Sequence, residues 1–189
     1  MLFIKSLFFF AVAVSSAAIS YDVLDESVAS LARRDSNSAQ TKSDMETILK
    51  NINDLTKATD MYNGSPISAF PIVSKHDALL RSISKATAHA KDIHVPTEGD
   101  SAAIISYIQG SMWPAMGRTL SSIKSKKDIL ASAGQAAAMK SILENLEFVM
   151  LKLSNALVDA TPLSKTIWAL SVSKDMEKAF EDTIAFYGN

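Results

Sequence analysis

The sequence of 189 residues contains no cysteine. This absence excludes disulfide cross-links and every zinc site built on thiolate ligands. Glycine and proline are also scarce, with six and five residues respectively. Because these two residues interrupt regular structure, their scarcity predicts long elements with few breaks. The segments between them are rich in Ala, Leu, Ile, Lys, Met and Ser, which favours an all-helical fold.

The chain also lacks an excess of charge of either sign. Its formal net charge is -1, and 21% of its residues are charged. Nucleic-acid binding usually requires a basic surface that displaces counterions from phosphates. The composition therefore predicts a globular protein without a nucleic-acid partner.

Motifs that carry catalysis are missing as well. The three histidines, His76, His89 and His94, do not have the spacing of metal ligands. Ser111 in GSMWP lacks the following glycine of a nucleophile elbow, and no glycine-rich phosphate loop occurs. His76 lies on an apolar stripe next to Asp77, where a hydrogen-bonded core residue is favoured over a catalytic base. The sequence predicts no enzyme activity, no metal site and no cofactor.

Residues 1–18 have the layout of a secretory signal peptide. Lys5 precedes a short apolar run from Leu7 to Val14, and small residues follow up to Ala18. A retained membrane anchor is the alternative, although the run is short for a bilayer span. The C-terminal sequence AFEDTIAFYGN carries no apolar tail, so we expect no glycolipid anchor. The prediction is a secreted, extracellular protein without a transmembrane anchor.

Residues 19–34 end in the dibasic pair Arg33-Arg34. The pair is read equally well as a propeptide cleavage site and as two arginines in an exposed linker. In either case we expect the folded domain to occupy residues 35–189. A domain of this length buries roughly 70% of its unfolded surface, so it can be stable without disulfides.

Five amphipathic segments follow, each with apolar residues at steps of three and four. Their expected bounds are Ser38–Tyr62, Ile72–Ile93, Ser101–Leu130, Gln135–Ala160 and Pro162–Tyr187. Helices joined by short loops pack antiparallel. The sequence therefore predicts an all-α, up-and-down bundle of about five antiparallel amphipathic helices.

Prolines and polar residues mark the ends and irregularities of these helices. Pro114, in the middle of the third segment, removes a backbone donor and predicts a kink there. Thr97 and Asp100 have the spacing of a capping box. Thr161-Pro162 is typical of an N-cap followed by proline at the first helical position.

The fourth segment contains the apolar stretch LEFVMLKLSNALV, residues 146–158. Leu146, Met150 and Leu153 belong to one arc, and Phe148 and Leu151 belong to a second arc. A helix with two apolar faces is either central in its bundle, which we favour, or has one face available to another partner. Methionine, of which the chain has eight, is frequent at surfaces that accept varied apolar ligands, although it is also ordinary core.

Asn63-Gly64-Ser65 forms an N-glycosylation sequon in an expected loop. The motif is short, and Pro66 directly after it disfavours use. Glycosylation at Asn63 and an unmodified loop are therefore both open.

These features together resemble the fungal hydrophobic surface binding protein A family, which includes cell-wall galactomannoproteins. The resemblance covers roughly Asp35 to Tyr187. It is carried by SDMETILKNINDLTKATDMY, IVSKHDALLRSISKATAHAKDI, DSAAIISYIQGSMWPAMGRTLSSIKSKKDIL and TPLSKTIWALSVSKDMEKAFEDTIAFY. The resemblance implies a secreted or wall-associated helical bundle without enzyme activity that binds hydrophobic material. Fatty acid held inside the bundle is one implied mode, and adsorption to a hydrophobic surface with recruitment of a secreted hydrolase is another.

We expect fatty acid or a similar slender apolar ligand between the helices. The alternative is a structural or adhesive protein whose apolar face adsorbs to a cell wall or a hydrophobic solid. The expected ligand channel is lined by Leu79, Ile83, Ile108, Met112, Leu146, Met150, Leu153 and Phe180. Candidate polar anchors for a carboxylate are His76, Ser111, Thr119 and Gln135.

Overall fold

The computed structural model describes residues 39–92 and 96–188. The expected signal peptide, the Arg33-Arg34 segment, Ile93 and His94 lie outside these residues. One compact unit covers Ser38–Asn189, and its described part contains helices and no strand. The all-α prediction is confirmed. No helix in the described part is long and apolar enough to cross a bilayer.

The helices are numbered in chain order, with α1 described over residues 39–60. The others are α2 (Pro66–Lys91), α3 (Glu98–Tyr107), α4 (Trp113–Ser125), α5 (Lys127–Ser132), α6 (Ala136–Ala160) and α7 (Leu163–Gly188). A π-helical turn, Ile108–Met112, joins α3 to α4. The predicted third helix is thus divided into three α-helices and one wide turn.

The apolar stripes of α1 and α2 form the core as their period predicts. In α1 they bury Met45, Ile48, Ile52, Leu55 and Thr59, with Tyr62 just after its end, and in α2 they bury Ile72, His76, Leu79, Ile83, Ala86 and Ala90. Helix α2 begins six residues earlier than expected, because Ser65 caps it. The Ser65 hydroxyl accepts a hydrogen bond from the backbone N–H of Ser68 at 3.2 Å, and Pro66 occupies the first turn.

Consecutive helices α1 and α2 run antiparallel, as do α6 and α7. Helices that pack against each other without being consecutive in the chain run parallel. Thr56 and Asp60 in α1 contact Thr119 and Ser122 in α4, in the same chain order. Trp168 contacts Gln109, and Tyr187 contacts Ile123, so α7 runs parallel to the α3–α4 segment. The bundle therefore combines antiparallel sequence neighbours with parallel spatial neighbours.

The irregularity expected at Pro114 takes the form of the π-helical turn. The Trp113 N–H bonds to the carbonyl of Ile108, five residues earlier. Proline has no N–H with which to reach the carbonyl four residues before it. A wide turn placed directly before Pro114 accommodates this missing donor without ending the helical path.

The N-terminal half of α7 differs from the expectation. Leu163, Ile167 and Leu170 recur at steps of four and three, and this helical period predicts that they form the inward-facing stripe of α7, yet they are 93%, 84% and 42% exposed. The helix instead turns Ala169, Val172 and Ser173 toward its neighbours. These smaller side chains line a cavity, so the bulky stripe is left on the outside.

Helix α6 is central, since α2 packs on one side of it and α7 on the other. Its first arc buries Leu146, Met150 and Leu153. On the second arc, Phe148 is exposed and the Lys152 ammonium lies 4.0 Å from its ring centre. The cation covers part of this face, so the second arc is not a continuous apolar surface.

Candidate functional site

An apolar cavity lies between α3, the π-helical turn, and the facing halves of α6 and α7. It begins near Pro96 and Thr161 at one end of the bundle, and along α6 it extends from Ala160 to Met150. Ten residues of α-helix correspond to about 15 Å. The lining side chains are Met45, Ile104, Ile105, Ile108, Met112, Met150, Leu153, Leu157, Val158, Val172 and Met176, with Ala160, Ala169 and several hydroxyl residues.

The cavity has a volume of about 60 Å³ open to the centres of water molecules. On that scale one water molecule requires about 10–15 Å³, so the space holds only a few water-sized groups. Four of its lining residues are methionines. Methionine has three rotatable bonds and repacks easily, so these walls can yield to a longer occupant.

One polar group in the cavity wall lacks a partner. Ser101, in the first turns of α3, is 2% exposed, and its hydroxyl forms no hydrogen bond with the described residues. An unpaired buried hydroxyl costs free energy unless a ligand satisfies it. Thr161, at the mouth, differs because its hydroxyl already donates to the carbonyl of Leu157 at 2.7 Å. Ser101 is therefore the group best placed to donate to a bound polar atom.

The expected apolar lining divides into two groups. Ile108, Met112, Met150 and Leu153 line the cavity. The other four predicted residues, Leu79, Ile83, Leu146 and Phe180, are buried in the core and lie outside that lining. The helical period predicts which side chains face inward. It does not distinguish a closely packed layer of the core from a layer that contains a cavity.

The four candidate polar anchors lie outside the cavity lining. Thr119 is fully buried and shares a hydrogen bond of 2.6 Å with Thr56. Gln135 accepts a hydrogen bond from the Tyr62 hydroxyl at 3.3 Å. Ser111 is half-buried in the π-helical turn. His76 is a core residue of α2, and burial lowers the pKa of its imidazole below 6.5, which favours the neutral form.

An acid–base pair does occur between α1 and α2. His89 Nδ1 lies 2.6 Å from a carboxylate oxygen of Asp44. The other Asp44 oxygen accepts a hydrogen bond from Gln40 at 3.0 Å. The pair is away from the cavity lining and ties the two helices together, which is a structural use. Among the described residues, no group of three or more His, Asp or Glu side chains is arranged to hold a metal ion.

Two apolar stripes remain on the outer surface. On α2, Ile67 and Phe70 are 85% and 80% exposed, and Val73 continues the stripe. On α7, the stripe is the exposed set Leu163, Ile167 and Leu170 described above. Residues three and four apart share one face of a helix, so each stripe is a small continuous surface.

The loop between α1 and α2 contains the sequon. Asn63 is exposed, and its side-chain oxygen accepts hydrogen bonds from the Ser65 N–H at 3.1 Å and the Ser68 hydroxyl at 2.8 Å. Gly64 has φ +90, a conformation that glycine adopts readily. Glycosylation at Asn63 stays a prediction.

The sequence matches a known family. The model of HsbA, hydrophobic surface binding protein A, covers residues 38–159, which is more than half of the chain. Among curated proteins, none matches the sequence.

Solved structures share the fold. The crystal structure of Afmp4p in complex with palmitic acid is 29% identical, with a TM-score of 0.76, and covers 79% of this chain and 99% of its own. Ligand binding domain 1 of the Penicillium marneffei MP1 protein, complexed with arachidonic acids, is 16% identical with a TM-score of 0.72. That match covers 77% of this chain and 95% of the domain. Domain 2 of the same protein, complexed with multiple arachidonic acids, is 14% identical, also has a TM-score of 0.72, and covers 77% and 92% of the two chains.

Proposed function

The chain belongs to the hydrophobic surface binding protein A family, and from this premise we propose that it is a secreted, non-catalytic fungal protein that binds fatty acid. The acyl chain would occupy the cavity between α3, α6 and α7. The observation that carries this proposal is an apolar, methionine-rich cavity whose wall contains one unpaired, buried hydroxyl, that of Ser101. The similarity to Afmp4p, whose structure contains palmitic acid, supports the same class of ligand.

The energetics of the cavity favour a long apolar chain. Each buried methylene contributes about 0.8 kcal/mol, so a ligand can bind tightly with few polar contacts. The walls supply mostly carbon and sulfur, because the lining is dominated by Met, Ile, Leu, Val and Ala. A fatty acid would satisfy the apolar walls with its chain and the Ser101 hydroxyl with its carboxylate.

Ser101→Ala tests the anchor. Loss of a hydrogen bond to a charged group costs about 1.5–3 kcal/mol, so palmitate should bind roughly 10–150-fold more weakly. The ligand-free protein should not lose stability, because the variant removes an unsatisfied buried hydroxyl. The measurements are palmitate titration and thermal melting of both proteins.

Ser154→Ala is the matched control, since Ser154 also lines the cavity but is half-buried. Equal palmitate affinity in wild type and Ser101→Ala would remove Ser101 as the anchor. Failure of the wild type to bind palmitate at all would remove the proposed function.

Surface adsorption is the second candidate function, favoured by the two exposed stripes on α2 and α7. Apolar residues at such exposure are available to a hydrophobic solid or a cell wall. In this case the protein would bring a secreted hydrolase to that surface. Replacing Ile67 and Phe70 by Ser should release the protein from hydrophobic beads while leaving palmitate binding unchanged. Unaltered retention on the beads would exclude the α2 stripe as the adsorbing surface.

We also propose that the chain is processed before it acts. The family match begins at residue 38, four residues after Arg34, which supports removal of residues 1–34. N-terminal sequencing of protein secreted by a fungal host should therefore start at Asp35. A start at Ala18 or Ile19 would mean that the signal peptide is removed and that the chain is not cleaved after Arg34.

A further inference from the structure

Three methionine side chains, those of Met112, Met150 and Met176, line the inner end of the cavity. Beyond them lies a second apolar pocket of about 10 Å³. The two spaces have five lining residues in common, Ile108, Met112, Met150, Val172 and Met176. These shared residues lie where the two spaces adjoin, and we call them the methionine partition after their three methionines.

The two spaces are arranged end to end along the bundle. Ser101 and Thr161 line the first space alone, and Trp113 and Met116 line the second alone. Along the α3–α4 segment the order is Ser101, then Met112, then Met116. A chain whose carboxylate lies at Ser101 would therefore reach the partition with its methyl end.

The chemistry of the partition suits a movable wall. Met112, Met150 and Met176 are all buried, and each is unbranched with three rotatable bonds. Ile108 and Val172 are β-branched and stiff at the first torsion. A ligand would therefore displace the methionine side chains, while Ile108 and Val172 would stay in place.

The size of the first space makes such movement necessary for long chains. Its 60 Å³ accommodates only a few water-sized groups, fewer than the carbons of palmitate. The second space, of about 10 Å³, is the adjoining apolar volume, and displacement of the methionines would have to enlarge it before a longer tail could extend into it.

We infer that the methionine partition determines which acyl-chain lengths the protein accepts. Short chains end before the partition, whereas long chains displace Met112, Met150 and Met176 and place their tails beside Trp113 and Met116. This inference rests on the proposed function, because it specifies the ligand class of the same cavity.

Methionine methyl groups report this movement in the unmodified protein. Isotope-labelled methionine methyls are followed by NMR while octanoate, laurate, palmitate or stearate is added. Met45, which lines only the first space, should shift with every acid. The Met116 methyl should shift only with the longer acids. Met61, which is 78% exposed, is the internal control and should not respond.

Affinity as a function of chain length provides the second test. Each additional buried methylene should improve binding about fourfold, until the tail meets a wall that does not yield. Met176→Ala removes three heavy atoms of the partition and should favour the longest acids relative to octanoate. Met45→Ala makes the same change in the same cavity but away from the partition, so it should leave the length preference unchanged.

The outcomes separate this inference from the proposed function. If no acid binds the wild type, the proposed function fails and the inference fails with it. If the acids bind but Met116 remains silent with stearate, the tail does not cross the partition and only the inference is overturned. An identical length profile in Met176→Ala and Met45→Ala overturns it as well. Should either variant fail to fold, the methionine spectra of the wild type still decide.

Discussion

Met150→Lys should lower the melting temperature strongly and abolish stabilisation by palmitate. Met150 is buried at 5% exposure, and it borders both apolar spaces. An uncompensated buried charge costs about 3–5 kcal/mol. For a domain of this size that corresponds to a fall of roughly 6–20 °C in melting temperature. Melts are recorded with and without palmitate, because a ligand that binds only the folded state raises the melting temperature.

Met61→Lys is the matched control, since Met61 is exposed at the end of α1. It should melt like the wild type and keep its response to palmitate. A near-normal melt for Met150→Lys with lost binding would mean that the lysine reaches water through a roomier channel. A normal melt with normal binding would contradict the position of Met150 in the cavity wall.

Phe180→Ala should destabilise the domain by about 3–5 kcal/mol without weakening palmitate binding to the folded protein. Phe180 is 1% exposed and packs in the core outside the cavity lining. Its removal creates a new void in a closely packed layer. The change in melting temperature on adding palmitate should equal that of the wild type.

Phe148→Ala is the corresponding surface control. Phe148 is exposed beneath Lys152, so the variant loses only about 0.5–1 kcal/mol of cation–π attraction. If Phe180→Ala abolished the palmitate response while the protein remained folded, the acyl chain would have to pass through the core at Phe180.

The sequence predicts the inward-facing stripes of α1 and α2 better than that of α7. In α1 and α2, every described stripe position is buried, because a filled layer requires bulky apolar residues at helical spacing. Helix α7 carries two apolar faces in its first half. The helical period predicts that the bulkier face, with Leu163 and Ile167, points inward, and this prediction is wrong. The face that points inward lines the cavity and carries the smaller residues Ala169 and Val172.

Helix ends show which local signals are reliable. The prediction that Thr97 caps α3 is confirmed, since the Asp100 N–H donates to the Thr97 hydroxyl at 3.1 Å. The N-cap prediction for Thr161 is wrong, because its hydroxyl bonds back to Leu157 and it ends α6. The cap that does precede a proline is Ser65, where the sequence indicates only a loop. Similar dipeptides therefore end one helix and begin another, depending on the tertiary position of the chain.

The cavity itself depends on details that periodicity does not contain. Small residues either bring two helices close together or leave room between them. The sequence pattern of small and large residues is the same in both cases. The methionine count favours an adaptable apolar site, and four methionines do line the cavity. Ser101 is not among the predicted anchors, and a serine in the first turn of a helix is common whether or not it contacts a ligand.

Filling the cavity provides the most direct test of fatty-acid binding. Ala169 lines the cavity, so Ala169→Phe should occupy the space that an acyl chain needs. Ala138→Phe places the same side chain at an exposed position of α6. The measurement is native mass spectrometry of delipidated protein after addition of palmitate. The wild type and Ala138→Phe should each form a palmitate complex, and folded Ala169→Phe should form none. A wild type without a complex, or an Ala169→Phe variant that binds palmitate equally well, would contradict binding in this cavity.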